Sequence, residues 1–402
     1  MSAVGDGYVA LLRLRGVAVL LLCASAARLV YGVLPLGLLL FLSGRRASYA
    51  EAGAVVGVYG VAAGVLGPAR ARLVDRVGAA WGLAGLAAVF ALCLGALVAA
   101  VRSPLAVVLV LGLLAGCCPP PVGPMMRTAW RSMVGDEPAA VRRAYSLDAV
   151  TEEAAYVLGP VLATTLLAWV GSPVVVLACA GVLVVVVSAM GWQIAALTHA
   201  AVALSAPPRP GGALRRDPRF LLGLVPVGAL GLLLGAVEIA AVAAALTSVG
   251  QRFAGVPATV SAVGSLTGGL LYGRKQWPGN AHAHTVVLTL GTAALVAVAG
   301  LAAHNFVLLV ALLGVAGLTI APAIVASYLV ADLAAPVGSS EATAWVNSAF
   351  NTSLAVGTAF AGAVVDATSP GTALAAAGMV TALLVATVGI RPTRHGRARL
   401  AP

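Results

Sequence analysis

The sequence is poor in charged and aromatic side chains. Of its 402 residues, 9% are Asp, Glu, Lys or Arg and 5% are aromatic, whereas a soluble domain is about 25% charged. Hydrophobic residues make up 61%, and the mean hydropathy is +1.03. A chain with so few polar groups cannot cover a surface in water. Its composition therefore excludes a soluble globular protein and predicts burial in a lipid bilayer.

Cysteine, histidine and phosphate-binding motifs are also scarce. The five cysteines lie in apolar runs and have neither metal-site spacing nor a disulfide pattern. We interpret His282 and His284 as solvated loop residues rather than metal ligands. The sequence contains no glycine-lysine phosphate loop, no catalytic triad and no extramembrane domain. We therefore expect no metal, no cofactor, no ATP-driven step and no enzyme activity.

Long apolar stretches occupy most of the chain. The first is too long for the apolar core of a signal peptide, which has about 7–15 residues. All but the eighth reach the roughly 20 residues that span a bilayer, and the eighth stays within the tolerated range of about 17–25. The sequence predicts an all-α membrane protein with twelve transmembrane helices, at residues 17–42, 51–72, 80–101, 105–127, 145–169, 173–198, 220–248, 256–273, 284–303, 305–331, 341–365 and 370–390.

Basic residues alternate between the two sides of these spans. With both termini in the cytoplasm, nineteen of the 24 Lys and Arg residues fall on cytoplasmic segments, four on outward loops and Arg28 inside the first span. This positive-inside bias predicts the orientation, and anionic lipid explains the net charge of +11 better than nucleic acid does. The single lysine and the many alanines and arginines indicate a bacterial source, and hence the bacterial plasma membrane.

The chain is predicted to consist of two similar halves. Residues 199–219 are rich in proline, glycine and charge, which predicts a cytoplasmic linker between bundles at 1–198 and 220–402, the second ending in a basic tail. Small-residue patterns recur about 200 residues apart, for example in segments 115–121 and 316–322. We therefore expect two pseudo-symmetric six-helix bundles in a single monomer.

The segment between the second and third spans contains the sharpest motif. Gly67 is followed by Arg72 and then by Asp75-Arg76-Val-Gly78. This pattern resembles the signature loop of the major facilitator superfamily, although the basic residues that usually follow the last glycine are absent. The resemblance implies a twelve-span carrier in which Asp75 accepts hydrogen bonds from a helix N-terminus. Arg72 or Arg76 would pair with an acid, so that these residues form a conformational latch. The alternative is a plain basic turn.

The fifth span carries a second motif, Gly159-Pro160. It resembles the glycine-proline motif of drug-proton antiporters of the same superfamily. Proline removes a backbone hydrogen bond and permits a helix bend, while glycine allows close helix approach. The motif favours export, and generic helix packing is the alternative.

Charges inside the spans are candidates for the transport mechanism, because each costs about 2.5–3.5 kcal/mol to insert at a helix centre. Arg28 lies near the middle of the first span, with Tyr31 one turn later. Because arginine keeps its proton, it can hold an anionic group or clamp a carboxylate. Glu152 and Glu153 lie in the fifth span. One of them could pair with Arg28 while the other faces the cavity and carries protons, and a static ion pair is the alternative.

The second half contributes further polar candidates. Glu238 lies deep in the seventh span, where it could be a proton site, a substrate contact or a structural acid. Asn347 and Asn351 are four residues apart in the eleventh span and therefore share a helix face. They could contact substrate, although interhelical packing is an equal alternative.

Together these features predict a secondary transporter working by alternating access. The leading hypothesis is proton-coupled efflux of a small amphipathic compound or metabolite. The alternative is a symporter or facilitator that imports a polar or anionic nutrient, with Arg28 as the anion site. A membrane enzyme or a signalling protein is disfavoured. The expected partners are a small-molecule substrate, protons and the lipid bilayer.

Overall fold

A computed structural model describes residues 7–14, 16–45, 49–135, 137–199, 214–250, 253–334 and 340–388. Most of the predicted linker and all of the basic tail at 389–402 lie outside these ranges. The regular elements of the described residues are helices, apart from one short 3-10 turn. They are α1 (Tyr8–Leu12), α2 (Val17–Ser43), α3 (Tyr49–Val65), α4 (Gly67–Val77), α5 (Ala79–Ala99), α6 (Leu105–Cys117), α7 (Val122–Val134), α8 (Pro138–Val170), α9 (Ser172–His199), α10 (Pro218–Gly223), α11 (Val225–Ser248), α12 (Val256–Arg274), α13 (Ala281–Leu301), α14 (Phe306–Ala334), α15 (Glu341–Ala367) and α16 (Pro370–Val388).

The predicted all-α membrane architecture is confirmed. Among the described residues, nine spans are long and apolar enough to cross a membrane, or ten if the bent pair Glu51–Val65 and Gly67–Val77 forms one. The predicted fifth and eighth spans correspond to α8 and α12, and neither helix is among these nine or ten candidate spans. The total of twelve spans therefore stays a prediction.

Two of the predicted spans are interrupted, for different reasons. The fourth ends as α6 at Cys117 and restarts as α7 at Val122, as the run Pro119-Pro120-Pro121 in the sequence predicts. Three successive prolines remove three backbone N–H donors, so the helix does not continue through them. The second span, predicted to reach residue 72, instead bends by 54° after α3. Residues 67–77 then form α4, with Pro68 in its first turn, so the alternative interpretation of this segment as a plain turn does not hold.

Contacts within the described residues divide the chain into two compact units. The first comprises Met1–Ala144, Thr151–Arg209 and Pro336–Ser348, and the second comprises Tyr145–Val150, Pro210–Ala335 and Ala349–Pro402. Two helices contribute to both units. The middle of α8 belongs to the second unit, and the first residues of α15 belong to the first.

The first unit is built by α9 packing along α2 and α5, and by α3 packing along α6. One of its close helix approaches joins α2 to α8, where a Cβ placed on Gly159 would lie 2.7 Å from the Cα of Gly32. Real side chains do not approach that closely, so glycine is required at this crossing.

The second unit is built by α14 packing on α12 and α13, and by α16 packing on α11 and α13. Leucine and alanine dominate its buried core, with Leu233, Leu309 and Leu374 fully buried. Gly357 in α15 lies directly against the backbone carbonyl of Leu232 in α11, where a Cβ has no room. Small residues let these helices approach closely, which is how helices associate in a lipid environment.

Candidate substrate and latch sites

Arg28 is buried in the first unit, with 5% of its surface exposed. Its Nη1 donates a hydrogen bond to Thr151 Oγ1 at 2.8 Å, and its Nη2 lies 3.8 Å from Glu152 Oε2. The α2–α8 crossing at Gly159 brings the two helices close enough for these contacts. Of the two span-five glutamates, Glu152 is thus the one that faces Arg28.

A second arginine, Arg127, reaches the same carboxylate. It is 1% exposed, and its Nη2 donates to Glu152 Oε2 at 2.8 Å, a shorter contact than that of Arg28. Arg127 is the last residue of the predicted fourth span, 105–127, and was not among the predicted site residues. The restart of the helix at Val122 puts Arg127 in the second turn of α7, inside the bundle. The three prolines before α7 were the signal that could have revealed it.

Asn347 joins the arginines at Gly123 in α7. A Cβ at Gly123 would lie 3.0 Å from Arg127 Nη1 and 3.3 Å from Asn347 Nδ2. Because Gly123 has no side chain, the guanidinium of Arg127 and the amide of Asn347 can both lie against this part of α7. Asn351 is exposed and belongs to the second unit, so the structure does not place the two asparagines in one unit. We call Arg28, Arg127, Thr151, Glu152 and Asn347 the arginine cluster.

Tyr31 lies beside the arginine cluster but points its hydroxyl elsewhere. Its Oη donates to the carbonyl of Pro120 at 2.8 Å. That carbonyl belongs to the break between α6 and α7, where helical hydrogen bonding is interrupted. Tyr31, one turn after Arg28 in α2, thus provides a hydrogen bond to a carbonyl of the broken helix.

Among the described residues, Glu153 and Glu238 differ from Glu152 in having no ion pair with a basic side chain. Within the described ranges, neither carboxylate has a hydrogen bond or an ion pair. Glu153 in α8 is partly exposed and belongs to the first unit, and Glu238 in α11 is exposed and belongs to the second.

The predicted latch residues lie on and around α4. Asp75 accepts two hydrogen bonds from Ser340, from its backbone N at 3.1 Å and from its Oγ at 2.9 Å. Ser340 directly precedes α15, so the carboxylate lies at a helix N-terminus, where the dipole favours an anion. Arg72 Nε lies 3.6 Å from Glu341 Oε1 in the first turn of α15.

Two glycines and an arginine complete this region. Gly78 ends α4 with a φ of +95°, a conformation that favours glycine. A Cβ on Gly67 would lie 2.7 Å from Ser348 Oγ, which donates to the carbonyl of Gly64 at 2.6 Å. Arg76 is exposed in the last turn of α4. All these contacts lie within the first unit, because residues 336–348 belong to it.

Comparison with known families decides the identity of the fold. A family model described as Major Facilitator Superfamily matches residues 19–275, more than half of the chain. The chain belongs to the major facilitator superfamily. It is therefore a multi-pass membrane transporter, as the signature-like loop implied.

Solved structures of superfamily transporters share the fold. The human organic anion transporter MFSD10 (TETRAN) aligns with a TM-score of 0.66 and 18% identity, covering 92% of this chain and 98% of the other. A bacterial homologue of the iron transporter ferroportin aligns with a TM-score of 0.72 and 13% identity, covering 93% and 99%. The fucose:proton symporter FucP of E. coli gives a TM-score of 0.64 and 14% identity, covering 93% and 99%. A search of curated protein sequences gave no match.

The antiporter-like motif of this superfamily member lies in an unbroken helix. The structure describes α8 as continuous from Pro138 to Val170, through Gly159 and Pro160. What Gly159 provides in the described structure is the close approach to Gly32. A bend at Pro160 remains a prediction.

Arg70 is a further residue that the sequence analysis missed. It is 9% exposed, and its guanidinium donates to two backbone carbonyls, that of Gly116 at 3.2 Å and that of Ala63 at 2.6 Å. Gly116 lies in the last turn of α6 and Ala63 in the last turn of α3. The end of a helix leaves carbonyls without an intrahelical partner and carries the negative pole of the dipole. One arginine thus stabilises the ends of both helices.

Proposed function

We propose that this transporter is a proton-coupled secondary carrier exporting a small amphipathic compound or metabolite. The observation that supports proton coupling is the pair Glu153 and Glu238, two carboxylates on membrane helices with no ion pair among the described residues. A charge at the centre of a membrane helix costs about 2.5–3.5 kcal/mol and marks a functional site more often than not. Neutralisation by a proton removes that cost. Each carboxylate is therefore suited to bind and release a proton.

In this proposal, transport follows alternating access of two six-helix bundles, 1–198 and 220–402, joined by the linker 199–219. The protonation of Glu153 or Glu238 shifts the balance between two conformations. Gly67, Arg72, Asp75, Arg76 and Gly78 act as a latch of one conformation, and Gly159 with Pro160 supplies a helix bend. The carrier works as a monomer in a bacterial plasma membrane, with both termini in the cytoplasm.

A second candidate function, the import of an anionic nutrient, is favoured by a different observation. The arginine cluster holds two buried guanidiniums near a single oxygen of Glu152. Buried cations of this kind suit the recognition of a carboxylate or phosphate group. The direction of transport distinguishes the two candidates.

The test uses everted membrane vesicles that contain the full chain. A proton gradient is formed by respiration, and the uptake of the amphipathic dye Hoechst 33342 is followed by fluorescence. We expect energised uptake that collapses with an uncoupler, and loss of at least about tenfold in Glu153→Gln or Glu238→Gln, as expected when a proton site is removed. Glu137→Gln, at an exposed position before α8, is the matched control and should behave as the parent does. Uptake that ignores the uncoupler, together with normal transport by both variants, would contradict proton coupling.

A further inference from the structure

Three cysteines of the first unit lie together where α6 ends. Cys117 is the last residue of α6, Cys118 follows it at the break before α7, and Cys93 lies on the neighbouring helix α5. The thiol of Cys118 donates a hydrogen bond to the sulfur of Cys93, and Cys117 interacts electrostatically with both. All three are free cysteines that are only partly buried. Folding therefore places two reduced thiols from different helices side by side.

The buried guanidinium of Arg70 lies beside these thiols. Arg70 is 9% exposed, and its Nη1 donates at 3.2 Å to the carbonyl of Gly116, the residue directly before Cys117. It also interacts electrostatically with both Cys117 and Cys118. Its Nε has no hydrogen-bond partner among the described residues. A positive charge is thus held next to the sulfur atoms, with one donor still unused.

The charge of Arg70 is not balanced by a carboxylate. Among the described residues it has no ion pair, and its acidic neighbours are the thiols and the phenols of Tyr31 and Tyr59. A buried charge that lacks a counter-charge is costly. Because a free thiol loses its proton more readily than a phenol does, a thiolate is the anion best suited to balance this guanidinium.

The charge of Arg70 also restricts which ligand the thiols suit. Thiolates select soft metal ions such as Cu(I), and Cu(I) and Ag(I) accept linear coordination by two sulfur atoms. Within the described ranges no group of three or more His, Cys, Asp or Glu side chains could hold a metal ion, so two-sulfur coordination is the kind available. Two thiolates with a monovalent ion carry one negative charge, which balances Arg70. A disulfide, or two thiolates with Hg(II), would be neutral and leave that charge unbalanced.

We propose that Cys93 and Cys118 bind one soft monovalent metal ion, Cu(I) or Ag(I), as a dithiolate whose negative charge is balanced by Arg70. Each thiol releases its proton to water as its sulfur–metal bond forms, and no electron is transferred. The spacing of the cysteines in the sequence does not reveal this site, because α5 and α6 bring the thiols together by packing against each other. The proposal uses neither the arginine cluster nor the carboxylates of the proposed function, and so does not depend on proton-coupled export.

Binding is tested with the reduced, purified full chain in detergent under an inert atmosphere. Cu(I) is supplied as its coloured bicinchoninate complex, and the loss of colour reports transfer of the ion to the protein. We expect the parent to take up one ion per chain, and Cys93→Ala and Cys118→Ala to lose this uptake. Cys23→Ala and Cys179→Ala are the matched controls and should bind as the parent does. Uptake that persists in both site variants, or is lost equally in the controls, would overturn the proposal.

The role of Arg70 is tested by comparing ions of different charge. Arg70→Gln should weaken the binding of Ag(I) by about 10- to 100-fold, as expected when a group next to the ligands is lost. It should leave the binding of Hg(II) nearly unchanged, because the Hg(II) dithiolate is neutral. Affinities are measured by competition with a small thiol. An equal loss for both ions would overturn the charge argument. If Arg70→Gln does not fold, the cysteine variants decide the proposal.

Oxidation of the pair is the competing outcome. The reduced protein is treated with hydrogen peroxide, which is reduced to water as two thiols become a disulfide, and the products are identified by mass spectrometry of peptides. A disulfide between Cys93 and Cys118 in a protein that takes up no Cu(I) when reduced would assign the pair to redox chemistry and overturn the metal site.

Discussion

The buried polar groups of the two units differ in kind. Among the described residues, the buried polar set of the first unit contains four arginines and one glutamate besides hydroxyls, while that of the second consists of hydroxyls apart from Asp148 in the shared part of α8. The hydroxyls of Thr285, Thr292 and Ser327 each donate to a carbonyl four residues earlier in the same helix. Such bonds stay within one helix. The links between helices that hydroxyls make in this unit, from Thr292 to Thr319 and from Thr381 to the carbonyl of Ala229, are neutral. Arg28, Arg70 and Arg127 connect different helices through charged groups, so charge contributes more to the packing of the first unit and side-chain shape more to that of the second.

This difference indicates where substitutions will act. A buried charge that loses its partner keeps its full desolvation cost, while a helix that loses a hydroxyl keeps its packing. The first unit should therefore be sensitive to changes of charge and the second to changes of volume. Four predictions, from the largest expected effect to the smallest, test this contrast.

The largest effect is expected for Arg127→Met in the first unit. The substitution removes the closest cation from Glu152 and should lower the free energy of unfolding by about 3–5 kcal/mol. Thermal unfolding of the purified protein, followed by size-exclusion chromatography after heating, measures the change. The control is Arg131→Met in the same helix, where a small change is expected. Equal stability of the two variants would show that the first unit does not depend on this charge.

In the second unit, Gly357→Ala should be damaging because a Cβ at this position meets the backbone of Leu232. Overpacking of this kind typically costs about 1–3 kcal/mol. Gly362→Ala on the same helix is the control, since nothing lies within 4 Å of its Cβ position. The same thermal assay should show a loss for residue 357 and no loss for residue 362. A loss of stability at both positions would show that the effect comes from the change in helix propensity rather than from packing.

A smaller effect is expected for Asp75→Asn at the N-terminus of α15. Neutralisation weakens the interaction with the helix dipole, which is worth up to about 2 kcal/mol for a partly buried charge such as this one. Hydrogen exchange of the Ser340 amide, measured by mass spectrometry of the peptide that contains it, should become faster. Asp366→Asn near the other end of α15 is the control, because a carboxylate there opposes the dipole. If both variants speed the exchange equally, the contact of Asp75 with Ser340 has no separate role.

The smallest effect is expected for Thr292→Val in α13. It removes the 2.7 Å hydrogen bond with Thr319 in α14 but keeps the volume of the side chain. One such bond contributes about 0.5–1.5 kcal/mol. Thr387→Val, at an exposed position of α16, should be neutral in the thermal assay. A loss for Thr292→Val as large as that for Arg127→Met would remove the contrast between the units.

The fold was predictable because its main signals are local in the sequence. Apolar length revealed the helices, and three consecutive prolines revealed the break in the fourth span. The arginine cluster was not predictable in full, since the position of Arg127 depends on where the helix restarts after that break. The contacts of Arg70 were missed for a similar reason, because its carbonyl partners exist only where α3 and α6 end. The shared parts of α8 and α15 depend on tertiary packing, which a hydropathy pattern does not contain.

Arg70 has a mechanical consequence for the first unit. Its guanidinium holds the carbonyl of Ala63, before the bend that separates α3 from α4, and the carbonyl of Gly116, before the break that separates α6 from α7. A movement that straightens either discontinuity must first detach the same side chain. The bend and the break are therefore coupled, because both depend on the hydrogen bonds of one arginine.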